Sequence, residues 1–161
     1  MTRSFITVLR KQAIIEPGIR EFANAHDGKG AIITYGFMTH VPAERRTDTI
    51  SDPRQGFERY DAEERAVIRQ SLAAWSAVAD ITFVPVAAQG ADLMFGKHRM
   101  PYRVNGYAGG LTHDLATGKT GGADIWLDNE GFVTTPFGRE IVTHEIGHAL
   151  GLGHASVAGT A

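Results

Sequence analysis

The chain has 161 residues, which suits one domain or one domain with a short appendage. Its 16 basic and 18 acidic side chains give a formal charge of −2, without the basic stripe expected for a nucleic-acid partner or a polybasic membrane surface. The chain contains no cysteine, so disulfides, thiolate nucleophiles and cysteine-based metal sites are excluded. Any metal must be held by histidine, aspartate or glutamate.

Residues 1–30 are predicted to form an N-terminal appendage or propeptide-like segment. They contain a weak helical pattern from Glu16 to Ala25, followed by the turn-rich His26–Gly30. The apolar run Phe5–Leu9 is shorter than the about 7–15 residues of a signal-peptide core, so no clear export signal is predicted. No apolar stretch approaches the ~18 residues needed for a transmembrane segment.

From residue 31 the pattern becomes that of a folded domain, assigned to 31–161. Ala31–Phe37 alternates like a strand, and the polar residues 41–60 predict a loop. Asp61 opens a helix, because Asp61 and Glu64 have the spacing of a capping box. An apolar stripe follows on this helix, and its Trp75 is assigned to core packing: Ile68, Leu72, Trp75 and Ala79.

Strands dominate the next sixty residues, and a last helix begins between Pro136 and Arg139. The predicted strands are Ile81–Val84, Ala91–Phe95 ended by Gly96, a short strand near Tyr107, and Asp124–Leu127. This order of elements predicts an α+β or α/β layered domain.

The last helix carries the chemistry, in the pattern H-E-x-x-H-x-x-G-x-x-H from His144 to His154. His144 and His148 are four residues apart, so on a helix they lie about 40° apart and one turn along, and both can bind one ion. On a continued helix His154 would lie about 240° round the axis from His148. The helix is therefore predicted to end at Gly151, which tolerates positive φ, so that the chain returns His154 to the other two.

Three imidazoles and an open position are typical of catalytic zinc, whereas structural zinc usually has four protein ligands. Zinc lowers the pKa of bound water toward about 7, and Glu145, beside the first histidine, is placed to take its proton. This set predicts amide hydrolysis with Glu145 as general base.

The motif resembles the zinc signature of the metzincin metallopeptidases. Further segments are similar to the serralysin and matrixin branch of that family: Trp75–Phe83, Ala91–Gly96 and Gly121–Leu127. The resemblance implies a twisted, mostly parallel five-stranded sheet with an antiparallel edge strand, a backing helix and an active-site helix. It implies that Asp124, Ile125, Trp126 and Leu127 form this edge strand and pair with an extended peptide substrate.

The family also implies a methionine-containing turn downstream of the third histidine. The four methionines, Met1, Met38, Met94 and Met100, all precede His144, and the chain ends seven residues after His154. We therefore expect the upper part of a catalytic domain without its lower part.

Other expectations are weaker. Asp128, Asn129 and Glu130 are candidates for calcium, although acidic clusters at strand ends are more often solvated turns. We expect a monomer that acts on a peptide or protein. The resemblance suggests a secreted protein, and a cytoplasmic one stays open.

Two functions compete. The first is a zinc endopeptidase with ligands His144, His148 and His154 and general base Glu145. The second is a zinc-binding fragment or binding module that lacks catalytic competence.

Overall fold

The structure is a computed structural model that describes residues 30–43, 52–101, 103–109, 111–114 and 119–154. The predicted N-terminal segment, apart from Gly30, lies outside the described residues. In chain order the elements are β1 (Ala31–Phe37), α1 (Ala62–Val78), β2 (Ile81–Pro85), β3 (Leu93–His98), β4 (Gly106–Ala108), β5 (Thr112–Asp114), β6 (Lys119–Gly121), β7 (Ala123–Asp128) and α2 (Pro136–Ala149).

Helix α1 begins as the capping box predicted. The Asp61 carboxylate accepts from the Glu64 amide at 2.9 Å, and the Glu64 carboxylate accepts from the Asp61 amide at 2.8 Å. Two amides that the first turn would leave without partners are thereby satisfied. The buried face of α1 includes Val67, Ile68 and Leu72, which hold it against the sheet.

Five strands form one sheet in the order β2-β1-β3-β7-β4, and β5 and β6 form a separate antiparallel pair. β2, β1, β3 and β7 run parallel to their neighbours, and only β4 is antiparallel. The α+β class and the mostly parallel five-stranded sheet with an antiparallel edge are confirmed.

The identity of the edge strand was predicted wrongly. Asp124–Leu127 belongs to β7, which is paired on both sides, with β3 in parallel and with β4 in antiparallel orientation. All six side chains of β7 are buried. The backbone of Asp124–Leu127 therefore has no free edge for a substrate, and the antiparallel edge is β4.

The extent of β3 also differs from the prediction. The strand continues through Gly96 to His98. A Cβ at position 96 would overlap the indole of Trp126 on β7, which accounts for the glycine at this position. Gly96 is therefore an interior strand residue that makes room for a large neighbour, and it does not end the strand.

The core lies between the sheet and the two helices. It contains the inward residues of the strands together with Val142 and Ile146 of α2. The opposite face of the sheet carries a smaller cluster centred on Met38, Met100 and Trp126. In the described part of the chain, no helix is long and apolar enough to cross a bilayer.

Candidate metal centre and catalytic site

Helix α2 is placed by a cap at its start and by a contact near its middle. Thr135 caps its start, accepting from the Gly138 amide at 3.0 Å, and Pro136 occupies the first turn, where no amide donor is needed. Farther along, the Trp75 indole of α1 donates to the Thr143 carbonyl at 3.1 Å. This contact fixes the helix one residue before the first histidine of the motif.

The end of α2 has the geometry that the motif predicts. Gly151 has φ of 104°, and its amide donates to the His148 carbonyl at 2.9 Å. The Leu152 amide donates to the Gly147 carbonyl at 2.9 Å. These two bonds are a Schellman motif, which turns the chain back toward the helix and returns His154.

The three histidines converge through the same ring nitrogen. The Nε2 of His148 lies 2.8 Å from that of His144 and 3.0 Å from that of His154, and the remaining pair is 3.2 Å apart. Two imidazoles bound to one tetrahedral zinc ion have nitrogens about 3.3 Å apart. The observed donor set therefore fits one zinc ion with little rearrangement.

The protonation of the rings also suits a metal. The Leu152 carbonyl can only accept, so the His148 Nδ1 that lies 2.6 Å from it carries the proton and leaves Nε2 free. The pKa of His144 is lowered, first by burial and then by the proximity of His148 and His154. Neutral imidazole is the form that binds a metal ion.

Glu145 is buried in the fold beside the three histidines. Its side chain is 6% exposed, and its Oε2 is buried without a hydrogen-bond partner. Burial raises its pKa to about 7, and His154 opposes that rise. A buried carboxyl with an unused oxygen and a pKa near neutrality has the properties of a general base.

Strand β4 lies directly against this glutamate. A Cβ at Gly106 would come within 3.1 Å of Glu145 Cγ and 3.0 Å of Leu127 Cδ2, so a larger residue would require these side chains to shift by a few tenths of an ångström. A cavity of about 400 Å³ separates β4 from the histidines and is lined by both. A second one, of about 640 Å³, lies on the other side of the histidines and is lined by Trp75 and Leu152.

The structure therefore brings together all three predicted ligands, Glu145 and Gly151, and leaves the β7 residues in the interior. Sequence reasoning missed two features of the site. Strand β4 is the edge strand beside Glu145, and the Leu152 carbonyl accepts from His148. The short strand near Tyr107 was predicted, but its place in the sheet has no local signal. Trp75 is half-buried and packs on the core as predicted, and it also lines the larger cavity.

Two of the three candidate calcium residues, Asp128 and Asn129, are engaged within the chain. Asp128 Oδ1 accepts from the amides of Met100 and Asn129, and the Asn129 amide group donates to the Gly56 carbonyl. In the described ranges, the three histidines are the only set of three or more histidine or acidic side chains whose ligand atoms are close enough for one ion. Calcium stays an untested prediction.

A mixed five-stranded sheet, a helix carrying two histidines and a Schellman turn returning the third define the metzincin class of metallopeptidases. Within this class, the chain belongs to the matrixin family, whose family model matches residues 44–160.

Individual relatives come from both branches that the motifs resemble, serralysins and matrixins. The chain is 31% identical over 139 residues to metallopeptidase AprA of Pseudomonas marginalis, covering 80% of this chain and 28% of the relative. It is 34% identical over 134 residues to serralysin C of Dickeya chrysanthemi, covering 79% and 27%. It is 35% identical over 97 residues to human matrix metalloproteinase-20, covering 55% and 20%. The chain thus spans about a quarter of the length of these relatives.

Proposed function

We propose that residues 31–161 form the catalytic part of a zinc endopeptidase, with His144, His148 and His154 as the zinc ligands and Glu145 as the general base. The observation that supports this most is the juxtaposition of three converging Nε2 atoms with a buried carboxyl oxygen that has no partner. Family membership supports the same kind of chemistry.

A zinc ion at this position would supply Lewis-acid polarisation of a carbonyl oxygen and a lower pKa for water. Glu145 accepts a proton from water at its unpaired oxygen and then donates it to the leaving amine. Burial, which raises the pKa of Glu145, favours its uptake of a proton from water. The Schellman turn keeps His154 in place while Glu145 acts.

An extended peptide is proposed to bind along β4. The Gly109 amide donates to the Asp124 carbonyl, and the Asn105 carbonyl accepts from the Asp128 amide, so these groups point toward β7. Backbone groups alternate along a strand, which directs those of Gly106 and Ala108 toward the free edge. Both residues line the cavity next to Glu145, so a peptide paired there passes over the carboxylate.

The decisive experiment compares the wild-type chain with Glu145→Gln on a quenched-fluorescence peptide, with zinc content measured in both proteins. We expect turnover to fall about 10²- to 10⁴-fold while zinc content is unchanged, because Glu145 does not bind the metal. Glu63→Gln, an exposed glutamate of α1, serves as the control and should retain full turnover.

Two results would contradict the proposal. Equal turnover by wild type and Glu145→Gln would remove the assigned general base. A wild-type chain that binds zinc but cleaves no peptide would favour the alternative, a zinc-binding module without catalytic competence.

The proposal also includes a monomer exported from the cell, in line with the resemblance to secreted peptidases. Sedimentation of the purified chain and recovery of the protein from culture medium test these two points. A dimer in solution, or retention inside the producing cell, would contradict them.

A further inference from the structure

A separate cavity of about 600 Å³ lies at the carboxyl ends of two parallel strands, β1 and β2. It is bordered by the residues that follow each strand, Met38–Ala43 and Val86–Gly90, and by Met94 of β3. No described residue of its lining also borders the two cavities beside the histidines. The carboxyl ends of parallel strands are where open sheets with covering helices commonly bind ligands.

The larger part of the lining of this cavity is apolar, and its size suits a small molecule. Phe37, Met38, Met94 and Ala88 contribute carbon and sulfur surface from different strands and loops. Methionine side chains adapt to irregular apolar ligands because they are unbranched and polarisable. Ligand-binding cavities generally have volumes of about 300–1,000 Å³, which includes this one.

One permanent charge faces this apolar lining. Arg65 of α1 is the sole lysine or arginine among the described lining residues, and none of them is acidic. Its guanidinium carbon lies 5.4 Å from the centre of the Phe37 ring, and its Nε is buried without an acceptor. In the described part of the chain, no carboxylate forms an ion pair with Arg65. The guanidinium therefore has hydrogen-bonding capacity that nothing in the described fold uses.

We propose that this cavity binds a small apolar molecule that carries a carboxylate, with the carboxylate on Arg65 and the apolar body against Phe37, Met38 and Met94. A cationic ligand would be repelled by the guanidinium, and a neutral ligand would leave it without a partner. Guanidinium and carboxylate match in geometry and form charge-assisted hydrogen bonds. This site is independent of the proposed zinc chemistry.

The test is calorimetric titration of the full chain with sodium octanoate, and with octanamide as a neutral ligand of matched shape. We expect saturable binding of octanoate and binding of octanamide that is about 10- to 100-fold weaker, the range expected for a charge-assisted hydrogen bond. Arg65→Met should weaken octanoate by the same factor and bring the two ligands to similar affinity.

Arg69→Met is the matched control. Arg69 is on the same helix, and its guanidinium carbon also lies 5.4 Å from the centre of the Phe37 ring, but it does not line the cavity. The variant removes the same charge and the same ring contact, so octanoate affinity should change less than twofold.

A second variant keeps the test informative if Arg65→Met is poorly folded. Ala87→Trp enlarges an exposed residue of the lining and should abolish octanoate binding by filling the cavity. The proposal would be overturned if the wild-type chain did not bind octanoate, if Arg65→Met bound it as wild type does, or if both arginine variants lost affinity equally.

Discussion

Glu64 and Glu145 are both buried in helices, at 5% and 6% exposure, yet their surroundings are opposite. Glu64 accepts from the Lys97 ammonium at 2.7 and 2.8 Å and from the Asp61 amide at 2.8 Å, so both of its oxygens are used. Glu145 keeps one buried oxygen without a partner, and its pKa rises to about 7. Burial alone therefore does not distinguish these two carboxylates, whereas the unused hydrogen-bonding capacity of Glu145 does.

The largest expected effect tests the structural member of the pair. Glu64→Gln leaves the Lys97 ammonium buried without its main carboxylate, because Glu58 lies 3.8 Å away and is exposed. Removing one partner of a buried ion pair costs about 3–5 kcal/mol, so the free energy of unfolding should fall by that amount. Denaturant titration measures the change, and Glu63→Gln should stay within about 0.5 kcal/mol of wild type. A loss for Glu64→Gln no greater than that control would show that the pair does not stabilise the fold.

His154→Ala tests the proposed metal centre, on which the proposed role of Glu145 depends. It removes one of three converging nitrogens, and we expect zinc affinity to fall by more than about 100-fold, since even changes in residues that support a ligand cost 10- to 100-fold. Competition with a chromogenic chelator measures the affinity, and His40→Ala, at a histidine distant from the motif in sequence, is the control. Unchanged affinity would mean that His154 is not a ligand.

Gly151→Ala tests the turn that returns His154. With φ of 104° the new Cβ is strained, and we expect a loss of about 1–3 kcal/mol in the free energy of unfolding together with weaker zinc binding. Thermal unfolding with and without zinc separates the two effects. If the variant matched wild type in both, the Schellman geometry would not be required.

The smallest expected effect is that of Glu145→Gln on the free energy of unfolding, and its sign is opposite to that of Glu64→Gln. The folded-state pKa of Glu145 is raised above its ordinary value of 4.5, so the folded protein binds more protons between pH 4.5 and 7, and its stability falls as pH rises through that window. In zinc-free protein, Glu145→Gln removes this loss and should stabilise the fold by about 1–2 kcal/mol at pH 8.5, after allowance for solvent screening. The two proteins should converge below pH 4.5. Equal stability at pH 8.5 would contradict the raised pKa.

The sequence was most informative where function depends on local spacing. The four-residue interval between His144 and His148 defines a helix face, and the glycine at 151 indicates where the helix must end, so the convergence of the histidines and the turn follow from elementary geometry. The capping box of α1 is local in the same way.

What sequence did not reveal depends on pairing between distant segments. An apolar run such as Asp124–Leu127 fits both an edge strand and an interior one, although a strand buried on both faces is typical of the interior of a parallel sheet. The cavity at Arg65 arises only when α1 and the ends of β1 and β2 meet, and no motif marks it.

The two edge strands of the sheet, β2 and β4, differ in the backbone groups that they leave open to a further strand. At the β2 edge, the Val86 amide donates to the Tyr35 carbonyl of β1. Backbone groups alternate along a strand, so those of the preceding residue, Pro85, face away from the sheet. Proline has no amide hydrogen to donate to a further strand. A proline at this place discourages unwanted strand addition and aggregation. The β4 border carries no such block but is only three residues long. Of the two sheet edges that the structure describes, β4 is thus the one whose backbone groups are open to strand addition, and its ladder is three residues long.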